Sequence, residues 1–355
     1  MKFLMLRGQV PQDRNPQEIV FDYLADVDDM WTWLFYKLLN VEREQVSKVL
    51  KFVDHGELWY WGGTRNRLFE PHFIERWMPS FNDFDLRKRN PRDPKFVPDV
   101  IFCRGGFKEY HVVLKRFPKA IKIYYGAGTR FLPQPGFYDY DIILQDSPEQ
   151  VKICKEKFPK ALTTLFIKPA ADNIFYPMPE VEKEYDVCFP ANSAQSYKGH
   201  RFVYSTVPKD IRLLNLGNNP RNYKYPENVT SYRVLRSQMA ENIAKCKVGI
   251  VAISDKANSY PRVIPELLAC GLPIIVLDDM RFWKEKYIIS AADPDINEAT
   301  GELTDKENFW NTARVVLDHL GYYNPRKYYE DNLSLDHAAK FLRRKINEIS
   351  IQRSK

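Results

Sequence analysis

Cysteine is scarce in this chain of 355 residues, with five at positions 103, 154, 188, 246 and 270, mostly inside apolar runs. The odd count and the lack of zinc-type spacing exclude a disulfide framework and a structural zinc site, and point to reduced core residues of a cytoplasmic protein. The six histidines form no metal-ligand pattern, and no metal is expected. No run of about 18 apolar residues occurs, so a spanning helix is not expected. A signal peptide is not expected either, because MKFLMLRGQVPQ turns polar too soon and reads as a first strand, Lys2–Leu6. Internal repeats and low-complexity tracts are absent too.

The composition is that of a globular protein, 44% hydrophobic with a net charge of +7. The length suits two domains of ordinary size, each with its own core. Organisation is clearest from Lys247 to Asp279, KVGIVAISDKANSYPRVIPELLACGLPIIVLDD. Two short β-branched runs, Val248–Ile253 and Pro273–Leu277, have the length of fully buried strands. Between them lie a polar loop (Ser254–Ser259), a helix opened at Pro261 and a glycine exit at Gly271. Strand, helix and strand in that order make the βαβ unit of a parallel sheet. Ligands of such sheets bind outside the carboxyl ends of the strands, where Ser254–Tyr260 and the helix start fall. Glu266 is the one ionisable group among Val263, Ile264, Leu267, Leu268 and Ala269, so it sits at a site or is paired.

This stretch resembles the donor signature of retaining GT-B glycosyltransferases, above all glycosyltransferase family four. Asn258 stands where that signature has its first carboxylate, Glu266 stands at the second, and LLACGLPIIV (Leu267–Val276) follows as the family's continuation does. The resemblance implies that Glu266 binds the ribose hydroxyls of a nucleotide sugar, a task for which one carboxylate accepting from two vicinal hydroxyls is well suited. It implies that Asn258, with Ser259 and Tyr260, faces the donor sugar. Thr164–Pro177 (TLFIKPAADNIFYP) resembles the family's interdomain segment, and EYDVCFP (Glu184–Pro190) the first strand of its second domain. YKGH (Tyr197–His200) resembles the lysine-glycine pair that grips the donor diphosphate, which makes Lys198 the phosphate ligand. Asn192, Ser193 and Gln195 replace the family's arginine there, leaving Arg262 or Arg201 to substitute. Arg262, four residues before Glu266, also resembles the arginine-then-glutamate pairing of phage DNA glucosyltransferases. Each of these cations, taken singly, reads equally as a solvated surface charge.

Arg212–Asn219 (RLLNLGNN) resembles the family's second strand and donor loop, which nominates Asn218. Asn228–Arg233 is a strand and Val234–Lys247 a helix by apolar spacing. The resemblance places the base near Tyr232 and Arg233, with Tyr232 stacking on it or simply packing. In the first half, strands are expected at Lys2–Leu6, Leu58–Trp61, Asp99–Phe102, Ile121–Tyr125 and Tyr140–Leu144. Gly8 matches the small residue that lets donor phosphate approach the backbone, and serves equally as a turn glycine. Ser147-Pro148 after Asp146 is an N-cap with proline at N1. YYGAGTR (Tyr124–Arg130) lacks the family's histidine, which leaves Tyr125 or Arg130 to face the acceptor.

Trp59–Phe96 crowds aromatics (Trp59, Trp61 and others) among Arg65, Arg67 and Arg76 and ends in the basic LRKRNPRDPK. Rings stack on sugars or bases and arginines bind phosphate, so Trp59, Trp61, Arg65 and Arg67 are candidate acceptor contacts. With the net positive charge, an anionic acceptor is expected, such as a DNA base, a phosphorylated glycan or a lipid-linked glycan. The same segment reads alternatively as core aromatics and a solvated loop. Helices are expected at Lys306–Leu320, stopped by Gly321, and at Leu335–Ile349. The last of these crosses back to the first domain in GT-B enzymes, although a basic amphipathic helix also suits peripheral membrane contact.

The expectation is therefore an α/β protein of the GT-B type, two Rossmann-like domains facing a central cleft. An acceptor-side domain spans 1–170 with an insertion at about 56–97, a nucleotide-sugar domain spans 171–330, and a final helix occupies 331–355. The resemblance implies a hexosyl- or pentosyltransferase, metal-independent and without a cofactor. It would move a sugar from a UDP-, GDP-, ADP- or dTDP-linked donor to a hydroxyl with retention, with Lys198, Arg262 and Asn258 as catalytic residues. The alternatives are a phage-type hydroxymethylpyrimidine glycosyltransferase acting on duplex DNA, a GT-B epimerase, and a non-catalytic protein that binds nucleotide sugar or nucleic acid.

Overall fold

The computed structural model describes residues 1–7, 32–40, 50–54, 97–104, 114–115, 117–126, 140–191, 198–217, 225–253, 260–277, 281–284, 287–290 and 295–354. The chain opens with β1 (Phe3–Arg7), α1 (Thr32–Leu39), β2 (Leu50–Asp54), β3 (Val100–Arg104), β4 (Ile121–Gly126) and β5 (Ile142–Gln145). It continues through α2 (Pro148–Lys157), β6 (Leu162–Leu165), β7 (Tyr185–Phe189), α3 (His200–Thr206), β8 (Leu213–Leu216) and β9 (Val229–Tyr232). Then come α4 (Met239–Ala244), β10 (Cys246–Val251), α5 (Val263–Ala269), β11 (Ile274–Leu277) and the antiparallel pair β12 (Arg281–Lys284) and β13 (Tyr287–Ser290). The last elements are β14 (Gly301–Thr304), α6 (Phe309–Asp318), α7 (Pro325–Asn332) and α8 (Leu335–Ser354).

Among the described residues, six strands in the order β2-β1-β3-β4-β5-β6 form one sheet, and six in the order β14-β11-β10-β7-β8-β9 form another. Every pairing within the two sheets is parallel. Strands covered on both faces need unbroken apolar runs, which FLML of β1 and IIVL of β11 supply; all of these side chains are buried. On one face of the second sheet, Val187, Phe189, Val248 and Ile250 pack with Val203 of α3 and Phe309 of α6. On the other, Cys188, Val251, Ile274 and Val276 join a core that takes in Leu267 and Leu268 of α5 and the interior of the first sheet.

Winding reverses once in each sheet, between β1 and β3 and between β7 and β10. At such reversals the connections leave to opposite faces and a crevice opens beyond the carboxyl ends of the strands.

The final helix packs on elements of the first half, α1 and β4. Lys37 bonds both oxygens of Asp336 at 2.9 Å, and Arg343 donates to the carbonyls of Lys37 and Leu38 at the end of α1. Arg353 reaches Asp141 at 2.7 Å and the Lys119 carbonyl at 2.8 Å. Arg343 and Arg353 of this basic helix are thus engaged with protein groups, Arg343 at the carboxyl end of α1 and Arg353 in the last turn of α8, where a cation suits the helix dipole.

Several elements differ from the sequence expectation for identifiable reasons. The helix expected over Val234–Lys247 shortens to a 3-10 turn, Arg236–Gln238, and α4. Cys246 and Val248 instead pair with Tyr185 and Val187, so sheet formation overrides helical spacing. The helix expected over Lys306–Leu320 starts later, because Asp305 accepts the Asn308 amide at 2.8 Å and holds a turn before α6. Gly321 does not end it but lies within a 3-10 turn, Leu320–Tyr322. The expected strand Leu58–Trp61 lies outside the described residues, and β1 pairs with β2 on one side and β3 on the other. Ser147 caps α2 as expected, accepting the Gln150 amide at 3.3 Å with proline in the first turn. All five cysteines are free and buried.

Candidate nucleotide-sugar site

The crevice between β7 and β10 is built by a glycine. Gly199, at the N-cap of α3, has φ +78°, and a Cβ there would lie 1.9 Å from the Ala252 carbonyl oxygen just beyond β10. Only glycine tolerates both the left-handed backbone and that approach. The contact pins Gly199 against the end of β10 and brings Lys198 to the crevice.

Glu266 arrives from the other side on α5. Gly249 of β10 lets the helix sit close, since a Cβ there would meet Leu267 Cδ1 at 2.6 Å. The helix ends in a Schellman motif: Leu272 N donates to Leu267 O, Gly271 N donates to Leu268 O, and Gly271 has φ +81°. Glu266 is only 6% exposed, on a helix otherwise buried in apolar contacts.

Lys198, Arg262 and Glu266 converge here. Burial lowers the Lys198 pKa, the Glu266 carboxylate pulls it back up, and the Arg262 guanidinium pushes it down. Two cations and one carboxylate thus share one electrostatic environment at the point of reversal of a parallel sheet. Such a group can hold a polyanion against the cations while the carboxylate accepts hydrogen bonds.

The two halves meet at this edge. Tyr125, near the end of β4, lies within the field of Arg262, and Tyr260 lies within the field of Asp146, which follows β5. The carboxyl ends of both sheets therefore face one cleft. Burial raises the pKa of Tyr125 first, then Asp146, against Arg104 and Arg262. Tyr125 is a core residue here, 3% exposed with its ring 6.4 Å from Phe102 and 5.9 Å from Phe166.

Other nominated residues take structural bonds. The Tyr260 hydroxyl donates to Asp295 at 2.6 Å, and the Tyr232 hydroxyl donates to Asn242 at 2.7 Å. Gly8, Trp59, Trp61, Arg65, Arg67, Arg130, Asn218, Asn258 and Ser259 lie outside the described residues. Sequence reasoning passed over Asp146, 3% exposed at the cleft, reading it as part of a helix cap. It also passed over His200, whose Nε2 meets the Ala191 carbonyl at 3.2 Å and whose pKa is lowered by burial, that carbonyl opposing and Lys198 adding. Nothing in the local pattern separates either residue from ordinary polar ones; their burial is tertiary. Among the described residues no group of His, Cys, Asp and Glu is arranged to hold a metal ion, and no helix is long and apolar enough to cross a membrane.

No protein-family model matches the chain, and no curated protein matches it in sequence. Solved structures do. A sucrose-phosphate synthase from Thermosynechococcus elongatus aligns over 99% of this chain and 100% of its own, at TM-score 0.60 and 12% identity. Anabaena Alr3699/HepE in complex with UDP aligns over 98% and 100%, at TM-score 0.58 and 9% identity. An alpha-glucosyltransferase in complex with UDP and a 13-mer DNA containing a HMU base aligns over 98% and 99%, at TM-score 0.56 and 11% identity. Together with the two parallel sheets across a cleft, these likenesses define the fold as GT-B.

Proposed function

We propose that this protein is a glycosyltransferase that moves a sugar from a nucleotide-diphosphate donor to a hydroxyl acceptor. The carrying observation is the convergence of Lys198, Arg262 and Glu266 at the winding reversal of the second sheet. In this reading Glu266 accepts hydrogen bonds from the ribose, and Lys198 and Arg262 take the diphosphate. By the family resemblance, Asn258, Ser259 and Tyr260 are the candidate contacts of the donor sugar, and Asn218, Tyr232 and Gly8 the candidate contacts of the rest of the donor. As the sugar–phosphate bond breaks, negative charge grows on the leaving diphosphate, and the two cations stabilise it more than they stabilise the intact donor. The acceptor hydroxyl attacks from the same face and its proton passes to the departing phosphate, which gives retention. No metal is assigned a role.

The chain then divides at about residue 170 into an acceptor half and a donor half, with 331–355 returning to the first. Trp59, Trp61, Arg65, Arg67 and Arg130 are the candidate acceptor contacts, Tyr125 packing in the core instead, and the acceptor is anionic. A second reading, glycosylation of a modified pyrimidine in DNA, is favoured by the likeness to an alpha-glucosyltransferase bound to UDP and DNA and by the net charge of +7.

The test is a thermal-shift panel of UDP, GDP, ADP and dTDP on wild type and Glu266→Ala, followed by turnover of the corresponding sugars. A nucleotide at 100 times its Kd should stabilise wild type by about 2.7 kcal/mol and leave the variant unmoved. A wild type that ignores all four removes the donor reading. Binding to duplex DNA that weakens steeply between 50 and 200 mM salt supports the second reading, and its absence at low salt ends it.

A further inference from the structure

Helix α7 holds α5 at both ends. Ahead of α5, the Tyr260 hydroxyl donates to Asp295 Oδ2 at 2.6 Å, and Tyr328 of α7 donates to Oδ1 of the same carboxylate at 3.0 Å. Asp295 is 4% exposed, so these two phenols take the place of water on its oxygens. At the last residue of α5, Arg326 of α7 donates from Nη1 to the Ala269 carbonyl at 2.7 Å. The next tyrosine, Tyr329, donates its hydroxyl to Asp172 Oδ1 at 2.6 Å, with the Ala170 carbonyl 3.3 Å away. Asp172 and Ala170 belong to the connection from β6 to β7, where the chain leaves the first sheet for the second. Helix α7 itself leads into α8, the return passage. Both passages and the helix carrying Glu266 therefore meet on α7.

Burying Asp295 and half-burying Asp172 is an expensive way to pack a helix; apolar side chains do so at lower cost. What a carboxylate held by fixed phenols adds is direction and distance. Burial raises the pKa of both Asp295 and Asp172, and the phenol hydrogen bonds pull each back down.

We infer that Arg326, Tyr328, Tyr329 and Asp295 are positioning residues that tie α5, and with it Glu266, to the passage between the two halves, so that donor binding and the placement of the halves are set together. The coupling to donor binding rests on the donor-site reading above; the mechanical tie does not.

Hydrogen exchange on the full chain separates the two. The variants are Asp295→Asn, Tyr328→Phe and Tyr329→Phe. A control, Thr206→Val, removes the bond from Trp310 Nε1 to Thr206 Oγ1 at 2.8 Å on the opposite face of the second sheet. Amides of 263–269 should exchange about tenfold faster in each of the three, the scale of one net hydrogen bond, while β7 and β8 keep their protection. Thr206→Val should leave 263–269 unchanged. With whichever of UDP, GDP, ADP or dTDP protects wild type, Tyr329→Phe should raise Kd several-fold. Asp295→Asn with Tyr329→Phe should then cost less than the sum of the two. Unchanged exchange over 263–269 in Tyr329→Phe overturns the inference whatever the nucleotides do. Strict additivity of the two Kd effects overturns the coupling. If no nucleotide protects wild type while exchange responds as stated, the tie stands and the donor reading falls. Tyr328→Phe keeps the carboxylate and its Tyr260 bond, and carries the test if Asp295→Asn fails to fold.

Discussion

At the reversal of the second sheet the protein places charge, whereas along the matching edge of the first it places rings. Lys198, Arg262 and Glu266 gather beyond β7 and β10. At the carboxyl end of β4, Tyr125 is instead locked between Phe102 and Phe166, with Arg104 and Asp146 acting on it from nearby. Both edges belong to parallel sheets with one change of winding. The architecture thus supplies a location, and the side chains brought there decide whether it binds or packs.

Substitution at the two edges is the strongest way to break this comparison. Tyr125→Ala should cost about 3–5 kcal/mol of unfolding free energy in urea, the usual range for emptying a large aromatic site. Lys198→Met should lower kcat by about 10²–10³-fold, the scale of one lost electrostatic contact in a transition state. Its melting temperature should hold or rise, since a partly buried ammonium no longer has to be desolvated. Equal losses of stability at the two positions would erase the distinction.

The two left-handed glycines at the start of α3 and just past α5 sharpen it further. Gly271→Ala meets nothing closer than Arg326 Cβ at 3.8 Å, so it should cost only the left-handed penalty of about 1–2 kcal/mol. Gly199→Ala must also displace the Ala252 carbonyl, and should cost roughly 3 kcal/mol or more and weaken nucleotide binding with it. Calorimetry beside nucleotide titration reads both quantities.

The pH dependence follows from Lys198. Burial lowers its pKa below the usual 10.5, with Glu266 opposing and Arg262 adding. The ammonium is therefore lost at lower pH than an ordinary lysine, and kcat/KM should fall on an alkaline limb that starts below 10.5. Because the folded state holds this proton less tightly than the unfolded one, stability from this group rises as pH passes through that window. Lys198→Arg, charged throughout, should abolish the limb.

The smallest effect lies behind β5. Gln150 is 0% exposed, and neither atom of its amide has a hydrogen-bond partner among the described residues, although Ser147 and Gln150 have the spacing of a capping box. Gln150→Met should stabilise the fold by about 1 kcal/mol without touching nucleotide affinity. A loss of affinity would move that amide into the site.

Much of the second half was legible because its signals are local. Apolar runs of strand length, Pro261 and the glycine exit place α5, and the segment YKGH places Lys198 beside Gly199. The first half was legible only in outline. Its strands stand out as apolar runs, but β2 and β6 are short and partly polar, LKFVD and LTTL, and carry no periodicity of their own. They become strands by pairing with β1 and β5. Asp295, Tyr328 and Tyr329 look like ordinary loop and helix residues in sequence, because a hydrogen bond spanning 33 or 157 positions leaves no local trace.

The sequence by itself therefore determined the βαβ units, the order of strands and helices around α5, and which residue types are available there for chemistry. These depend on spacing and on backbone permissiveness, which neighbours in the chain carry. Only the tertiary structure decided that Lys198, Arg262 and Glu266 share one field, that Tyr125 packs in the core, and that α7 ties α5 to the passage between the halves. Those outcomes depend on burial and on contacts between distant segments, which exist only once both sheets have formed.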